Sequence, residues 1–386
     1  MSWQTTLMSV AFACSALPAL LGAINLRRYR VVDAGGDRGG EHPSVTVCIP
    51  ARNEAANIEG CVRSALASTG VVVEVIVHDD ASTDETPAIL ARLCEEDSRV
   101  RVVERQSLPD GWNGKQWGCQ RMGSAATGDW LLFTDADVRL APSALRSAWL
   151  AARGGGSALV STVPRQETGS WMEDAIIPLI HFVLLCYLPF GQMRSTLRPA
   201  ASAGCGQFLF VDRVAWRAAG GHETFRASMH DGIKLPRAVR RAGLRSDLFD
   251  GTPVVSCRMY HGAGAVWRGF AKNAFEGLGS FGLLIFITGV HALGQILPVA
   301  WIAWALLSAK PWSAAEWLAA SAMTISIALR IAFMLRFRQS WRAVLLHPIG
   351  IALLTLIQWH SAWLHVTGRR SWKGRTSGGA AAPAAG

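Results

Sequence analysis

Two aspartates, Asp135 and Asp137, stand one residue apart where the apolar run WLLFT ends. Carboxylates that close repel one another unless a cation lies between them. The pair suits a hard divalent ion, which takes one or two carboxylates and completes its shell with phosphate oxygens and water. The alternative is a capping aspartate beside a solvated one. Three other stretches carry polar groups of related use. HDDASTDET ends on the adjacent carboxylates Asp79 and Asp80, with Ser82, Thr83 and Asp84 placed to make side-chain turns behind them. ARNE, from Ala51 to Glu54, presents backbone amides near a helix start, where the anionic groups of a nucleotide can be met. GWNGKQWG offers a glycine-rich turn followed by Lys115. It lacks the Walker spacing and is no P-loop. A lysine there either serves a diphosphate or the adjoining nucleoside, or stands in solvent.

These groups need a scaffold that brings them together, and the surrounding pattern supplies one. VTVCIP, VEVIVHDD, RVRVVE and DWLLFTDAD read as four strands. Between them lie helical spacings: Ile58, Cys61, Val62, Ala65 and Leu66 on one side of the first, STDETPAILARLCEE with Ser82 or Thr83 as its cap, and GKQWGCQRMGSAA. Strands alternating with helices of this length predict an α/β fold with a doubly wound, mostly parallel sheet. Ligands bind such sheets beyond the carboxyl ends of the strands. Residues 51–54, 78–80 and 135–137 should therefore meet in one crevice.

The rest of the 386-residue chain has another character. Half of it is hydrophobic and 17% is charged, and the apolar excess is concentrated in residues 3–26, 282–307, 317–335 and 343–366. Each run is long enough to cross a hydrocarbon core of about 30 Å at about 1.5 Å per residue. The first is read as an uncleaved anchor rather than a signal peptide, since no basic residue precedes it and no clear small-residue cleavage site follows. The net charge of +10 gathers beside the apolar runs, at Arg27, Arg28 and Arg30, at Arg336, Arg338 and Arg342, and at Arg369, Arg370, Lys373 and Arg375. That is the positive-inside pattern, and it favours anionic lipid head groups. No basic cluster is interleaved with aromatics, so nucleic acid is not expected as a partner. Eight cysteines without a CxxC pair read as small buried hydrophobes in a reduced compartment. These features place the polar middle on the cytoplasmic face of the cell membrane. Keeping every basic cluster inside requires one C-terminal run to be re-entrant or to lie on the surface, with Gly294, Pro298 and Pro348 as candidate interruptions.

The ordered set IPARNE, HDDASTDET, GWNGKQWG and FTDADV strongly resembles a family 2 glycosyltransferase with the GT-A nucleotide-sugar fold. AGCGQFLF, GGHETFR, RMYHGAGAVWRGFAKNAFEGL and SWKGR narrow the likeness to the membrane-bound branch near hopanoid-associated and carotenoid glycosyltransferases. The resemblance implies a membrane-bound inverting enzyme moving a sugar, expected from a uridine diphosphate donor, to a lipid acceptor. A polyprenyl-phosphate glycosyltransferase or a polysaccharide synthase shares the fold. A non-catalytic membrane scaffold is a third reading.

The resemblance also implies roles. Asp137 would coordinate Mg²⁺ or Mn²⁺ on the diphosphate, with Asp135 toward the ribose and the metal's water shell. Asp79 or Asp80 would face the nucleotide base, and Ala51 and Glu54 the base or ribose, unless Glu54 is merely an acid favoured by a helix dipole. Asp231 falls where the family carries its catalytic base. His230 stands where a second acid is usual, and Gly232 and Pro236 interrupt a helix that is normally unbroken, so that helix is expected to begin near Ile233. Gln207 follows glycines that let a backbone pass close to the donor sugar and acceptor, or that make a β-bulge. Trp267 is either a wall of the acceptor site or, with Phe270 and Phe275, the lipid face of an interfacial helix whose Arg268 and Lys272 meet head groups. Residues 171–190 read as a membrane-lying helix. The expected division is an anchor over 1–30, the catalytic domain over 31–280, a membrane region over 281–368 and a basic, then Gly/Ala-rich, tail over 369–386.

Overall fold

The structure is a computed structural model and describes residues 2–32, 41–309, 311–372 and 375–376. The Gly/Ala-rich end of the tail lies outside these residues. Contacts divide the chain into two units. One holds Met1–Arg28, Glu167–Pro189 and Tyr260–Thr367; the other holds Tyr29–Gln166, Phe190–Met259 and the described residues from Gly368 onward. The chain is thus cut within the stretch 31–280: residues 167–189 and those from Tyr260 onward belong with the apolar helices.

The two larger sheets of the second unit are built from ten strands: β1 (Ser44–Ala51), β2 (Val72–Asp79), β3 (Val100–Val102), β4 (Trp130–Thr134), β5 (Val138–Leu140), β6 (Leu159–Ser161), β7 (Arg165–Gln166), β8 (Phe208–Asp212), β9 (Ser246–Leu248) and β10 (Val255–Cys257). Seven of them form one sheet in the order β3-β2-β1-β4-β8-β6-β9. Only β8 runs against its neighbours, β4 and β6; the other pairs are parallel. The expected mostly parallel α/β sheet is therefore present, and the antiparallel β8 is what the alternating pattern did not announce. A three-stranded sheet, β5-β10-β7, stands beside it.

Burial on both faces explains the near-continuous apolar strands. Val45, Val47 and Ile49 of β1, with Val75 and Val77 of β2 and Leu132 of β4, share a core with Ile58, Val62, Leu90 and Trp149 from helices on one face. The alternate residues Cys48, Ile76, Leu131 and Phe133 pack on the other face with Met122, Trp216, Leu235 and Val239. A period of two along each strand thus serves two helical layers.

The first unit is helical. Four of its helices are long and apolar enough to cross a membrane: Trp3–Arg28, Phe281–Ser308, Ala314–Phe337 and His347–Val366. The first two expected interruptions, Gly294 and Pro298, do not break the second helix. A π-helical turn, Ala292–Ile296, absorbs the irregularity, and Pro298 stands at the start of the α-helical segment after it. Pro348 is likewise in a first turn, where its missing N–H costs nothing.

Two of these helices meet through small residues. The buried positions of Trp3–Arg28 are Met8, Ala11, Ser15, Ala19, Gly22 and Asn25; those of Ala314–Phe337 include Ala315, Ala319, Ala322 and Ser326. Spacings of three and four residues make each set one stripe, and small side chains let backbones approach. A Cβ on Gly22 would lie 2.8 Å from Cys186 Sγ, and one on Gly294 would lie 2.7 Å from the Cys14 carbonyl. Ser15 Oγ donates to the Gly294 carbonyl, and Asn25 Nδ2 to the carbonyls of Leu185 at 2.8 Å and Leu188 at 2.6 Å.

The expected membrane-lying helix over 171–190 is divided into Trp171–Ile176 and Leu179–Tyr187, with Phe190 opening a third short helix, because Pro178 and Pro189 punctuate the run. The lipid-facing reading of Phe275 is also corrected. It is buried against Leu284 and Ala362. All eight cysteines are free thiols.

Candidate active site

Strand register brings the polar stretches together. Ala51 at the end of β1 pairs with Asp79 at the end of β2, and β4 runs alongside β1 with Cys48 opposite Phe133, so Asp135 and Asp137 leave the same sheet edge. The expectation that residues 51–54, 78–80 and 135–137 share one edge is what the topology displays.

The turns after β1 and β2 clasp one another. Asn53 Oδ1 accepts from Thr83 N at 2.8 Å, while Asn53 N donates to Ser82 Oγ at 2.9 Å and Glu54 N to Thr86 Oγ1 at 2.9 Å. Asn53 and Ala81 both hold left-handed backbone, φ 51° and 55°. Such conformations are costly for residues with a Cβ and gather at functional sites. Asp79 Oδ1 accepts from the Ser82 hydroxyl at 2.5 Å and its amide at 3.1 Å. Asp80 is tied to Arg52, whose Nη1 lies 2.5 Å from the Asp80 carbonyl and 3.6 Å from its Oδ2. Two expectations change here. The helix after β2 starts at Thr86, and Asp84 rather than Ser82 or Thr83 accepts from its first amide, Thr86 N at 3.0 Å. The helix after β1 starts at Ile58, so Glu54 stands in the turn before it, not in its first turn.

The cation between carboxylates is a lysine. Lys115 enters on the first turn of the Gly114–Ala125 helix, whose cap Asn113 accepts from Lys115 N at 2.9 Å. Its Nζ lies 2.6 Å from Asp135 Oδ1 and 2.9 Å from Asp231 Oδ2. The partner joined to Asp135 is thus Asp231, nearly a hundred residues on, and not Asp137. Burial works against the Lys115 charge, yet the two aspartates outweigh it and hold the ammonium well above the ordinary lysine range. Burial likewise opposes the Asp231 charge. Lys115 prevails and holds that carboxyl below the usual range.

Asp137 is the opposite case. Burial, then the charges of Asp135 and Glu54, push it up to about 7. It faces the Cys257 thiol, and its Oδ1 is buried without a hydrogen-bond partner among the described residues. Among those residues no cluster of three His, Cys, Asp or Glu side chains forms a ready metal site. A carboxylate pair with a buried, unsatisfied oxygen still fits a hard divalent ion whose remaining ligands are phosphate and water. Asp137 and Asp135 are the residues that would hold it.

Asp231 opens the helix Asp231–Arg241, two residues before the expected start at Ile233. Pro236 lies inside this helix, five residues after its start, and has no N–H to give the Gly232 carbonyl. Gly232 also allows a close approach. A Cβ there would lie 2.7 Å from the Gly204 carbonyl oxygen and 2.8 Å from Gly206 N, and a Cβ on Gly206 would lie 2.2 Å from Asp231 Oδ1. What Gly206 admits is therefore the carboxylate of Asp231.

Gln207 is engaged on both ends of its amide. Oε1 accepts from Gln166 Nε2 at 2.8 Å, and Nε2 lies 2.9 Å from Cys257 Sγ. His230 precedes the Asp231 helix, its amide donating to Ser228 Oγ at 3.0 Å. Trp267 belongs to the helical unit, where Nε1 donates to His360 Nδ1 at 2.9 Å.

Two residues were not singled out from sequence, and a third, His78, was named there without a role. His222 is buried beside Phe133, accepts from Trp216 Nε1 at 3.1 Å, and is kept neutral, its value pushed down to about 3 by burial. Cys257 faces Asp137. His78, left without a role by sequence, is buried and neutral, at about 4 through burial and then the Arg121 charge. It lies under Gly118, where a Cβ would come within 2.5 Å of its ring. GGHETFR did contain His222, but no spacing rule links it to the end of β4 at Thr134, 88 residues earlier.

Residues 46–214 match the sequence description of Glycosyl transferase family 2. A 4,4'-diaponeurosporenoate glycosyltransferase of Staphylococcus haemolyticus is 26% identical over 295 residues, 72% of this chain and 73% of the relative. One from Staphylococcus aureus (strain MRSA252) is 29% identical over 285 residues, 71% and 70% of the two chains. Among solved structures, a mannosyltransferase from Pyrobaculum calidifontis in complex with GDP-Man and Mn²⁺ superposes with a TM-score of 0.57 at 18% identity, covering 92% of this chain and 99% of that one. At that identity the likeness speaks for a shared GT-A fold.

Proposed function

We propose, from the premise that residues 46–214 are a glycosyl transferase family 2 domain, that the chain transfers a sugar from a nucleoside diphosphate to a lipophilic acceptor at the cytoplasmic face of the cell membrane. The relatives named for a carotenoid acid support an acceptor of carotenoid type; a hopanoid or related polyisoprenoid is the alternative of the same chemistry. Four apolar helices support the membrane setting, with anionic lipids as neighbours of the basic clusters. The observation that carries the reading is the chain Asp135–Lys115–Asp231 at the sheet edge, with the unsatisfied carboxylate of Asp137 beside it.

The donor's base and ribose would lie along Ala51, Glu54, Asp79 and Asp80, and its diphosphate near Lys115. A divalent ion, Mg²⁺ or Mn²⁺, held by Asp137 and Asp135 supplies charge neutralisation to the leaving diphosphate when bound. The Pyrobaculum calidifontis enzyme was solved with such an ion and a nucleotide sugar.

Asp231 is the base. In one displacement the acceptor oxygen bonds to the anomeric carbon, its proton passes to an Asp231 oxygen, and the bond to the diphosphate breaks with its electron pair on the phosphate oxygen. A single displacement inverts the anomeric centre. Lys115 keeps Asp231 ionised, and so ready to accept, but also weakly basic. A diphosphate arriving within reach of the ammonium competes with Asp231 for it, and the base strengthens as the donor seats. His230 and Gln207 would serve the acceptor side.

The test uses the purified full chain, a radiolabelled UDP-sugar and a carotenoid acid or hydroxylated hopanoid in mixed micelles. Label moves into the organic phase only with Mg²⁺ or Mn²⁺ present. Failure of both lipid transfer and divalent-dependent donor hydrolysis would point instead to a scaffold.

A further inference from the structure

Arg330 lies in the Ala314–Phe337 helix and is 1% exposed. None of its Nε, Nη1 and Nη2 atoms has a hydrogen-bond partner, and no acidic side chain pairs with it, among the described residues. Buried charges are otherwise paired, and a cation within an apolar helix is met by something. Seven residues separate Arg330 from Phe337, the last of the helix, a rise of roughly 10 Å. Arg336 and Arg338 mark that end as the one rich in positive charge. The guanidinium is therefore inside the apolar length yet not far from where head groups gather.

Its surroundings contain donors rather than a counter-ion. His181 stacks on Phe337, two turns along the same helix from Arg330, with ring centroids 4.0 Å apart. Gln339 Nε2 donates to His181 Nδ1 at 3.3 Å, which leaves the ring proton on Nε2, and that atom is buried without a partner. A guanidinium fork and an imidazole N–H, all unsatisfied, complement one anion with two or three oxygens. Beside Arg330 on the same helix, Ile327 and Ile331 are 40% and 41% exposed. An apolar chain attached to that anion has a surface to lie along, which a soluble anion would not use.

We propose that Arg330 and His181 bind the carboxylate or phosphate head of an amphiphile drawn from the bilayer. The site is distinct from the carboxylate–lysine site, and its test does not depend on transfer.

The full chain is purified in an uncharged detergent, and thermal unfolding and native mass spectrometry are read on adding oleate, phosphatidylglycerol, phosphatidylcholine or sodium phosphate. Oleate or phosphatidylglycerol should raise the melting temperature and remain bound, and the other two should not. Arg330→Gln should weaken that binding at least about tenfold, since charge-assisted hydrogen bonds are the strong ones, and Arg330→Lys should keep part of it. Should Arg330→Gln fail to fold, His181→Phe carries the test, because it keeps a ring stacked on Phe337, now 4.0 Å between centroids. Weaker binding in that variant supports the site and unchanged binding overturns it. Equal stabilisation by sodium phosphate, an undiminished response in Arg330→Gln, or no response of the wild-type protein to either anionic amphiphile also overturns it.

Discussion

Asp137 is a carboxylate whose surroundings disfavour its charge, and that gives its removal two opposite consequences. Asp137→Asn should leave the melting temperature unchanged or raised, because a buried unsatisfied charge is lost. It should also abolish divalent-dependent donor binding, measured by calorimetry with UDP and Mn²⁺. A variant that binds both as well as the wild type would remove Asp137 from the site. For Asp231 the expected effect is on rate. Asp231→Asn should lower transfer by about a hundred- to ten-thousand-fold while donor affinity stays close to normal. His230→Ala is the control, and near-normal transfer by Asp231→Asn with loss in His230→Ala would move the base to His230. The neutral histidines predict a pH response. His78 and His222 have folded values of about 4 and about 3, below the ordinary 6.5. The unfolded chain then binds more protons as the medium turns acid, so their contribution is complete above about pH 6.5 and is lost as pH falls toward the folded values. His222→Gln should flatten the fall of melting temperature between neutral and acid pH; an unchanged slope would show that His222 is not the group responsible. Among these residues the sequence announced the acids, because adjacent carboxylates at strand ends are conspicuous. It could not announce which acid Lys115 joins to Asp135, since that depends on a helix returning about a hundred residues later.

At the level of elements, the Asp231 helix is held by its glycines. Alanine is ordinarily the better helix former by about 1 kcal/mol, so a Gly232→Ala change in open space would stabilise. Here its Cβ meets backbone at 2.7 Å and 2.8 Å, and overpacking of that kind costs about 1–3 kcal/mol. Gly232→Ala should therefore lower the melting temperature and displace Asp231, with transfer falling alongside. A rise in stability would show that the Gly204–Gly206 turn yields. The parallel strands were legible because their burial on both faces leaves runs of valine and isoleucine. The antiparallel β8 was not, for its partners β4 and β6 are chosen by packing across the sheet. The same holds for the early start of the Asp231 helix.

On the scale of the whole molecule, the apolar helices were legible by length, but their contact faces were not. Trp3–Arg28 and Ala314–Phe337 are apolar all round, so the buried stripe is marked by small size rather than by hydrophobicity. Deleting residues 1–30 should leave the protein in the membrane fraction after alkaline washing, because three long apolar helices remain. It should also lower the melting temperature, since Ala314–Phe337 loses the partner of its alanine stripe. Release into the soluble fraction would contradict the membrane reading of the C-terminal helices.

The close meeting of Ser15 with Gly294 also sets an order of events during synthesis. The N-terminal helix leaves the ribosome early and its partner glycine follows after some 280 residues, a delay of roughly 15–60 s at ordinary translation rates of about 5–20 residues per second. Over that interval Ser15 lacks the carbonyl of Gly294, and Asn25 lacks those of Leu185 and Leu188 for the 160 and 163 residues that separate it from them. The seven-stranded sheet and the three-stranded sheet beside it, whose last strand ends at Cys257, have by then been made. The helical unit is consequently the last to close, and an insertion chaperone able to shelter a polar face in lipid would act on the first helix before any other part of the chain needs help.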